Sequence, residues 1–530
     1  MTEPQRTTRN IAIVSAASFA QIVIQFLFQR VLARIYGADA EADALAAALA
    51  LPTMFAAMVT GSLGYVLVPE LVARFSESAG EGAEGRGGWR IAALVGLLTS
   101  GVSLAIASLL YVCAAPICRW LYGDLNADTL QMTVQLLRIL SVQVLLTGLV
   151  SWSHTVHHSR HSFLVPALAG VSGTLATLAL AQLYGEENIA AVAWAINLGS
   201  VLSVAIQIWP LLPGLLQRSD MAAWSQDYPR LMRMCGLLWP LLLGAMFMRI
   251  DPVVDRVLAA QLAAEEPGAI AHINYATRIA MALLAIGTSG LSVVAFPQLA
   301  GRLEREGQAG FADHFGLAFR RLILLVVPIA IGFSIFAVWI VRDLLQQGEF
   351  TSDDTRVVAG LIVAMMGMFV GASCGDLLAR GYYVLGDTKT PTLIGSASIL
   401  VGLALKVSMF YWLGIWGIAL SISIYLVVAA IVMAWHLARQ TTEPLFSGSL
   451  TSLMQSLVGA LVACGISWFV YEFGWGKTWG AAPAGALSYL GILIMIRNPD
   501  ALLLVQRMRR HWVEVNRQWR TKKLKMNHRF

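Results

Sequence analysis

The chain has 530 residues, of which 57% are hydrophobic and only 13% charged, and its formal net charge is +6. Its mean hydropathy is +0.68. Soluble globular proteins carry about 25% charged residues, so this composition excludes a chain built from water-soluble domains.

Apolar runs long enough to cross a bilayer recur along the chain. A run of about 20 apolar residues spans the hydrocarbon core. We therefore predict an all-α polytopic membrane protein with about fourteen transmembrane helices. The predicted spans lie near residues 10–36, 44–73, 90–116, 131–156, 162–184, 188–216, 230–261, 269–300, 313–341, 357–380, 391–413, 415–438, 449–471 and 479–505. The first run exceeds the apolar region of a signal peptide, so we expect it to be retained as a helix.

The two halves of the chain resemble each other at an offset of 225–229 residues. Residues 29–33 match 255–259, and 62–71 match 290–299. Each unit holds an even number of helices, six, so the sequence predicts two lobes related by a pseudo-twofold axis along the membrane normal. The predicted organisation is an N-terminal lobe (1–220), a C-terminal lobe (221–445), helices thirteen and fourteen (446–506) and a basic cytoplasmic tail (507–530).

The loops alternate in charge. One set is basic and includes Arg74, Arg86, Arg90, Arg160, Arg218, Arg230, Arg233, Arg302, Arg305, Arg320, Arg321, Lys389 and Arg439. The other is acidic and includes Asp39, Glu41, Asp124, Asp128, Glu186, Glu187, Glu265, Glu266, Glu349, Asp353 and Asp354. Basic loops stay in the cytoplasm. We therefore expect both termini inside.

The C-terminal tail is strongly basic. It contains Arg507, Arg509, Arg510, Arg517, Arg520, Lys522, Lys523, Lys525 and Arg529. Nucleic-acid binding is one interpretation of such a run, but we expect no nucleic-acid partner. A cytoplasmic tail lying on anionic lipid is the interpretation we prefer, because basic residues beside a membrane are attracted to its surface.

Several ionisable residues fall within apolar runs, where such groups are expensive and often functional. Arg278 lies near the middle of helix eight; a structural ion pair is its alternative role. Asp251 and Asp255 are one turn apart in helix seven and share a face. Lys406 in helix eleven has no acidic neighbour in its own helix. We predict that Lys406 pairs with Asp255 or Asp251; the alternative is a lysine that snorkels to the outer interface.

Four histidines, His154, His157, His158 and His161, have the spacing of one helical face. Such a face suits zinc, but polar residues are ordinary at a cytoplasmic helix end, and we expect neither a metal nor a cofactor. Motifs for a nucleophile elbow or a P-loop do not occur in the sequence. The sequence therefore predicts a transporter rather than an enzyme.

Specific segments resemble the MurJ (MviN) family of lipid flippases, of the multidrug/oligosaccharidyl-lipid/polysaccharide exporter superfamily. They are Ala33-Arg34-Ile35-Tyr36-Gly37-Ala38, Ala42-Asp43-Ala44 with Leu51-Pro52, Gly268-Ala269-Ile270, Asn274-Tyr275-Ala276-Thr277-Arg278, Gln347-Gly348-Glu349-Phe350-Thr351, Gly381-Tyr382-Tyr383 and Asp387-Thr388-Lys389-Thr390-Pro391.

The resemblance implies a two-lobed transporter of the bacterial inner membrane that exports a polyprenyl-diphosphate-linked saccharide, either a lipid II-like peptidoglycan precursor or an exopolysaccharide unit. It also implies a cationic cavity for the diphosphate and a groove at the last two helices for the lipid tail. The expected substrate-binding residues are Arg278, Arg30, Arg34, Asp43 and Asn274.

The chain departs from the family pattern in the cavity. Two helix-one arginines of the family fall on Ile22 and Phe28, and the arginine and glutamate of helix two fall on Ala56 and Gly61. A sodium-site carboxylate falls on Lys406. Two alternatives therefore stay open: a cation-coupled exporter of small amphiphiles that uses Asp251 and Asp255, and a non-transporting scaffold of an envelope-synthesis complex. Envelope-synthesis proteins are further candidate partners of the protein.

Overall fold

The computed structural model describes residues 3–77, 86–216, 249–472 and 477–495, together with residues 232, 236 and 498. These residues are almost wholly helical, which confirms the predicted fold class. The helices are α1 (Glu3–Tyr36), α2 (Ala40–Glu77), α3 (Arg86–Val112), α4 (Ala114–Leu121), α5 (Ala127–Ser159), α6 (Leu164–Tyr184), α7 (Ile189–Ile208), α8 (Leu212–Leu215), α9 (Asp251–Ala263), α10 (Ala269–Leu345), α11 (Ser352–Val384), α12 (Lys389–Leu413), α13 (Ile415–Gln440), α14 (Ser449–Glu472) and α15 (Lys477–Met495).

Within the described ranges, 11 helices are long and apolar enough to cross a membrane. Two shorter apolar helices, Ala269–Ala285 and Ala484–Met495, match the predicted spans at 269–300 and 479–505. The first part of the predicted span 230–261 and the basic tail 507–530 lie outside the residues that the structure describes.

Two helix boundaries follow from single residues. Gly307 has a positive φ of 68° and divides α10 into two helices, which agrees with the two separate spans predicted there. The predicted span 90–116 instead ends as a helix at Val112, and α4 begins at Ala114. Pro116 explains this difference, because its ring would clash with the carbonyl of Val112 in a continuous helix.

The duplicated sequence is matched by the helix boundaries. α5, α6 and α7 begin at residues 127, 164 and 189, and α11, α12 and α13 begin at 352, 389 and 415. The offsets are therefore 225, 225 and 226 residues. An internal duplication requires such constant offsets.

Side-chain caps fix where several of these helices begin. The Asn188 side chain accepts a hydrogen bond from the Ala191 N–H at 2.9 Å and caps α7. Thr351 caps α11: its N–H donates to Asp354 Oδ2 at 2.8 Å, and the Asp354 N–H donates to Thr351 Oγ1 at 3.2 Å. This reciprocal pair satisfies two amide groups that a helix start leaves open.

Asp387 caps the start of α12. Its carboxylate accepts the N–H groups of Lys389 at 3.1 Å and Thr390 at 3.0 Å, and the side chain of Gln440 donates to it at 3.0 Å. Hydrogen bonds from Thr390 lower the pKa of this exposed carboxyl well below its ordinary value. The motif residues 387–391 thus begin a helix.

The chain forms two compact units. The first comprises Met1–Ala276, Leu344–Val358 and Val407–Ile418, and the second Thr277–Asp343, Ala359–Lys406 and Ala419–Phe530. In the first unit, α5 packs against α2, α3 and α7, and α1 packs against α6. Its core includes Leu71, Val95 and Trp152, and the Trp152 indole donates to the Ala92 carbonyl at 2.8 Å. In the second unit, α14 packs against α15. The division into the lobes 1–220 and 221–445 stays a prediction.

Candidate substrate-binding sites

Asp43 lies at the start of α2 and is 1% exposed. One carboxylate oxygen accepts the N–H of Gly268 at 2.8 Å, and the other accepts the N–H of Ala271 at 2.7 Å. These donors open α10, where helix geometry leaves the first amide groups unpaired. A carboxylate at this position also interacts favourably with the helix dipole. The contacts of Asp43 are thus those of a helix cap; a role in substrate binding stays a prediction.

Three chain turns of the first unit meet around this cap. The Tyr275 hydroxyl donates to the Gly37 carbonyl at 3.0 Å, and its ring packs edge-on against Phe350. The Glu349 N–H donates to the Arg34 carbonyl at 3.1 Å. We call the turn at Gly37, the turn before Gly268 and the turn at 346–351 the Asp43 cluster.

Close backbone approach within the Asp43 cluster requires glycine. Gly268 has a φ of +95°, and a Cβ there would collide with the Ala38 carbonyl oxygen. Gly348 has a φ of +59°, and a Cβ there would collide with the Arg34 carbonyl oxygen. Both residues belong to the segments that resemble the MurJ family, and the contacts give a physical reason for glycine at each place.

His272 of α10 contacts Asp354, one of the two residues that cap α11. His272 Nε2 lies 2.8 Å from Asp354 Oδ1, and the two side chains are only 12% and 15% exposed. Asp354 thus joins the Thr351 cap to α10. Sequence reasoning did not select this pair; the placement of Asp354 three residues after Thr351 was the available signal for the cap, but nothing local pointed to His272.

Arg30 and Arg34 lie one turn apart on α1 and line a common pocket. The cavity has a volume of about 250 Å³ and is also lined by Gln182 of α6 and Gln347. Arg30 Nε donates to Gln347 Oε1 at 3.3 Å. Arg34 Nη2 forms an ion pair with Glu186 at 3.2 Å. The structure therefore brings together two of the five predicted substrate-binding residues.

Asn274 pairs with an arginine that sequence reasoning left out of the site. Arg256 Nη2 lies 3.4 Å from Asn274 Oδ1, and Arg256 Nη1 donates to the Pro252 carbonyl at 2.9 Å. The buried Arg256 Nε has no hydrogen-bond partner among the described residues. Its position directly after Asp255 in an apolar segment was a usable sequence signal.

Arg278 lies in the second unit, on α10, and its side chain is exposed. Asp255 is 4% exposed and Lys406 is 0% exposed. A lysine that snorkelled to the interface would expose its ammonium group, so this alternative is wrong. The pairing of Lys406 with Asp255 or Asp251 stays a prediction.

His154, His157 and His158 lie on α5, but this helix ends at Ser159, so His161 does not share its face as the spacing predicted. The rings of His154 and His158 lie 5.9 Å apart, and His157 Nε2 lies 2.9 Å from the Gln207 carbonyl oxygen. In the part of the chain that the structure covers, no group of three or more His, Cys, Asp and Glu residues is placed to hold a metal ion.

The second unit contains an apolar cavity of about 480 Å³ between the second half of α10, α14 and α15. Its walls include Phe333, Phe336, Ala463, Cys464 and Tyr489. The hydroxyl of Tyr489 lies 2.8 Å from Ser456 Oγ and donates to the Leu324 carbonyl at 2.9 Å. The polar end of the tyrosine is therefore satisfied, and an apolar surface faces the cavity.

Known proteins match most of the chain. A family model described as "Lipid II flippase MurJ" matches residues 32–481. A probable lipid II flippase MurJ of Vibrio cholerae is 24% identical over 528 residues, which cover 94% of this chain and 97% of the relative. The lipid II flippase MurJ of Burkholderia cenocepacia is 24% identical over 486 residues, which cover 88% of this chain and 91% of the relative.

Solved structures share the fold. A lipid II flippase MurJ in an inward closed conformation superposes with a TM-score of 0.76 at 19% identity, covering 92% of this chain and 99% of that chain. A multidrug resistance MATE family transporter of the MOP superfamily, in an inward-facing conformation, gives 0.64 at 12% identity and covers 80% of this chain and 96% of that chain. With the family model matched over most of its length, this multi-pass membrane protein belongs to the lipid II flippase MurJ family.

Proposed function

We propose that the protein is an alternating-access flippase that moves a polyprenyl-diphosphate-linked saccharide from the cytoplasmic to the outer leaflet of the bacterial inner membrane. Membership of the family supports this class of substrate. The observation that carries the proposal is the cavity of about 480 Å³ between α10, α14 and α15. A nearly apolar space of this kind suits a prenyl chain, because burying apolar surface is favourable and a charged or sugar group would be left unpaired there.

Arg278 is the proposed contact for the diphosphate. Its exposed side chain lies on an apolar helix, and a guanidinium group binds phosphate oxygens through two parallel hydrogen bonds. Ile22 and Phe28 stand where the family has two cavity arginines. We therefore expect Arg278 to make a large part of the diphosphate contact. Asn274 lies four residues earlier on the same helix.

The Asp43 cluster supports an alternating-access cycle. In the predicted topology it lies at the outer ends of the helices, and both termini and the basic tail lie in the cytoplasm. The cap of Asp43 on Gly268 and Ala271 holds these ends together. Both hydrogen bonds lie inside the first compact unit, which suits movement of that unit as one rigid body in such a cycle. Anionic lipid remains the proposed partner of the basic tail.

The experiment is rescue of cells depleted of their essential lipid II flippase. The gene for this protein is expressed on depletion, beside the Arg278→Ala variant. Growth with the wild type and not with the variant supports lipid II as the substrate. Restored export of an exopolysaccharide without growth supports the exopolysaccharide unit. Membrane-inserted protein that restores neither process, but lowers the toxicity of small amphiphiles, would contradict the proposal and favour the cation-coupled exporter.

A further inference from the structure

The pocket between α1 and α6 has the composition of an anion site. Arg30 and Arg34 supply two guanidinium groups, and Gln182 and Gln347 supply side-chain amides. Leucine and valine side chains of the same two helices complete its walls. All of these residues belong to the first unit. The cavity volume of about 250 Å³ leaves room for a small group.

The residues that the structure describes neutralise the positive charge of this pocket only in part. Arg34 is paired with Glu186, whose side chain is 72% exposed. Arg30 donates to the neutral amide of Gln347 at 3.3 Å, and it forms no ion pair with any residue in the described part of the chain. Two guanidinium groups therefore face one carboxylate. An unneutralised cation among apolar side chains is costly, so an anionic ligand would stabilise the pocket.

The position of the pocket indicates which anion has access to it. Arg30 lies six residues before the end of α1 at Tyr36, which corresponds to about 9 Å along a helix axis. This depth is close to the headgroup region of a bilayer. Lipid phosphates occupy that region, and the apolar side chains beside the arginines suit the first part of a lipid tail.

We propose that the pocket formed by Arg30, Arg34, Gln182 and Gln347 binds the phosphate group of a membrane lipid. The planar guanidinium groups match phosphate oxygens in a bidentate geometry. The amides add donors that a phosphate accepts. This site lies apart from the proposed Arg278 contact in sequence and unit, and it does not depend on which saccharide the protein moves.

The test measures lipid binding to the purified full-length protein by native mass spectrometry. Phosphatidylglycerol is the probe, and diacylglycerol with the same acyl chains lacks the phosphate. The variants are Arg30→Gln and Arg34→Gln. Arg356→Gln is the matched control, because Arg356 is 74% exposed and already paired with Asp353. Inorganic phosphate is added as a competitor in a separate arm.

We expect Arg30→Gln to weaken phosphatidylglycerol binding about tenfold, the effect of losing one charge-assisted contact. Arg34→Gln should weaken phosphatidylglycerol binding as well, whereas Arg356→Gln should have no effect. Diacylglycerol should bind the wild type and all variants equally. Arg30→Lys keeps the positive charge but loses the bidentate guanidinium geometry, so we expect an intermediate affinity. This variant also provides the test if Arg30→Gln fails to fold.

Two results would overturn the proposal. Equal phosphatidylglycerol affinity in the wild type, Arg30→Gln and Arg30→Lys would show that Arg30 has only a structural role. Displacement of the lipid by millimolar inorganic phosphate would show that the pocket takes free phosphate and that the lipid is not its ligand.

Discussion

The carboxylate of Asp43 caps the helix that begins after Gly268, a residue 225 positions further along the chain. This relationship joins the start of α2 to the start of α10 through two hydrogen bonds inside one compact unit. Asp43 is only 1% exposed, so this buried carboxylate has a structural role as a helix cap.

Replacement of Asp43 by alanine should destabilise the protein. The change removes the cap and leaves the amides of Gly268 and Ala271 buried without acceptors. We expect a loss of about 2–4 kcal/mol, from the cost of a lost cap and of unsatisfied buried donors. The measurement is thermal unfolding in detergent. Asp353→Ala is the control, because this side chain is 81% exposed. Similar midpoints for the two variants would argue against the cap.

Gly268→Ala should disrupt the Asp43 cluster by collision as well as by backbone strain. The control Gly386→Ala separates the two effects. Gly386 has a φ of +81°, but a Cβ added there would meet no described atom within 4 Å beyond its chain neighbours. We expect about 1 kcal/mol of destabilisation for Gly386→Ala, from the left-handed backbone alone, and at least twice that for Gly268→Ala. Thermal unfolding in detergent measures both. Equal effects would contradict the close approach of Gly268 to Ala38.

Filling the apolar cavity should block transport selectively. Ala463 lines the cavity and is 4% exposed, so Ala463→Trp places a large side chain in the space proposed for the prenyl tail. Leu461→Trp is the control on the same helix, because Leu461 is 57% exposed. We expect Ala463→Trp to slow transport of the full-length lipid more than that of a short-chain analogue. Equal slowing of both lipids would show that the cavity does not bind the prenyl tail.

Lys406→Met should destabilise the protein strongly. Lys406 is fully buried, and loss of one partner of a buried pair costs about 3–5 kcal/mol. If the partner is Asp255, the double variant with Asp255→Asn recovers most of this loss; if it is Asp251, Asp251→Asn does so. Lys406→Asp should in addition make stability depend on sodium. Recovery with neither double variant would end the pairing hypothesis.

The fold was largely predictable because it depends on local patterns. Apolar runs mark helices wherever a membrane is the solvent, and Pro116 and Gly307 act on the backbone within one turn of their own positions. The start of α11 at Ser352 likewise follows from the capping pair of Thr351 and Asp354.

The site was less predictable, since its contacts join residues far apart in sequence. No local pattern indicates that Asp43 meets Gly268 or that His272 meets Asp354. Sequence reasoning selected Asn274 and omitted its partner Arg256, because a single apolar helix shows which residues are polar but not which of them meet. The pocket at Arg30 required the chain to bring Gln347 to α1.

The most direct test of the proposed function is transport by the purified protein in vesicles. Fluorescent lipid II is incorporated, and its arrival in the outer leaflet is followed with an impermeant quencher. The wild type should accelerate flipping over protein-free vesicles. Arg278→Ala should reduce the rate at least tenfold, since charge-assisted bonds are worth about 1.5–3 kcal/mol. Arg305→Ala, an exposed arginine of the same helix, should match the wild type. A wild-type rate equal to that of empty vesicles, or full activity of Arg278→Ala, would contradict the account.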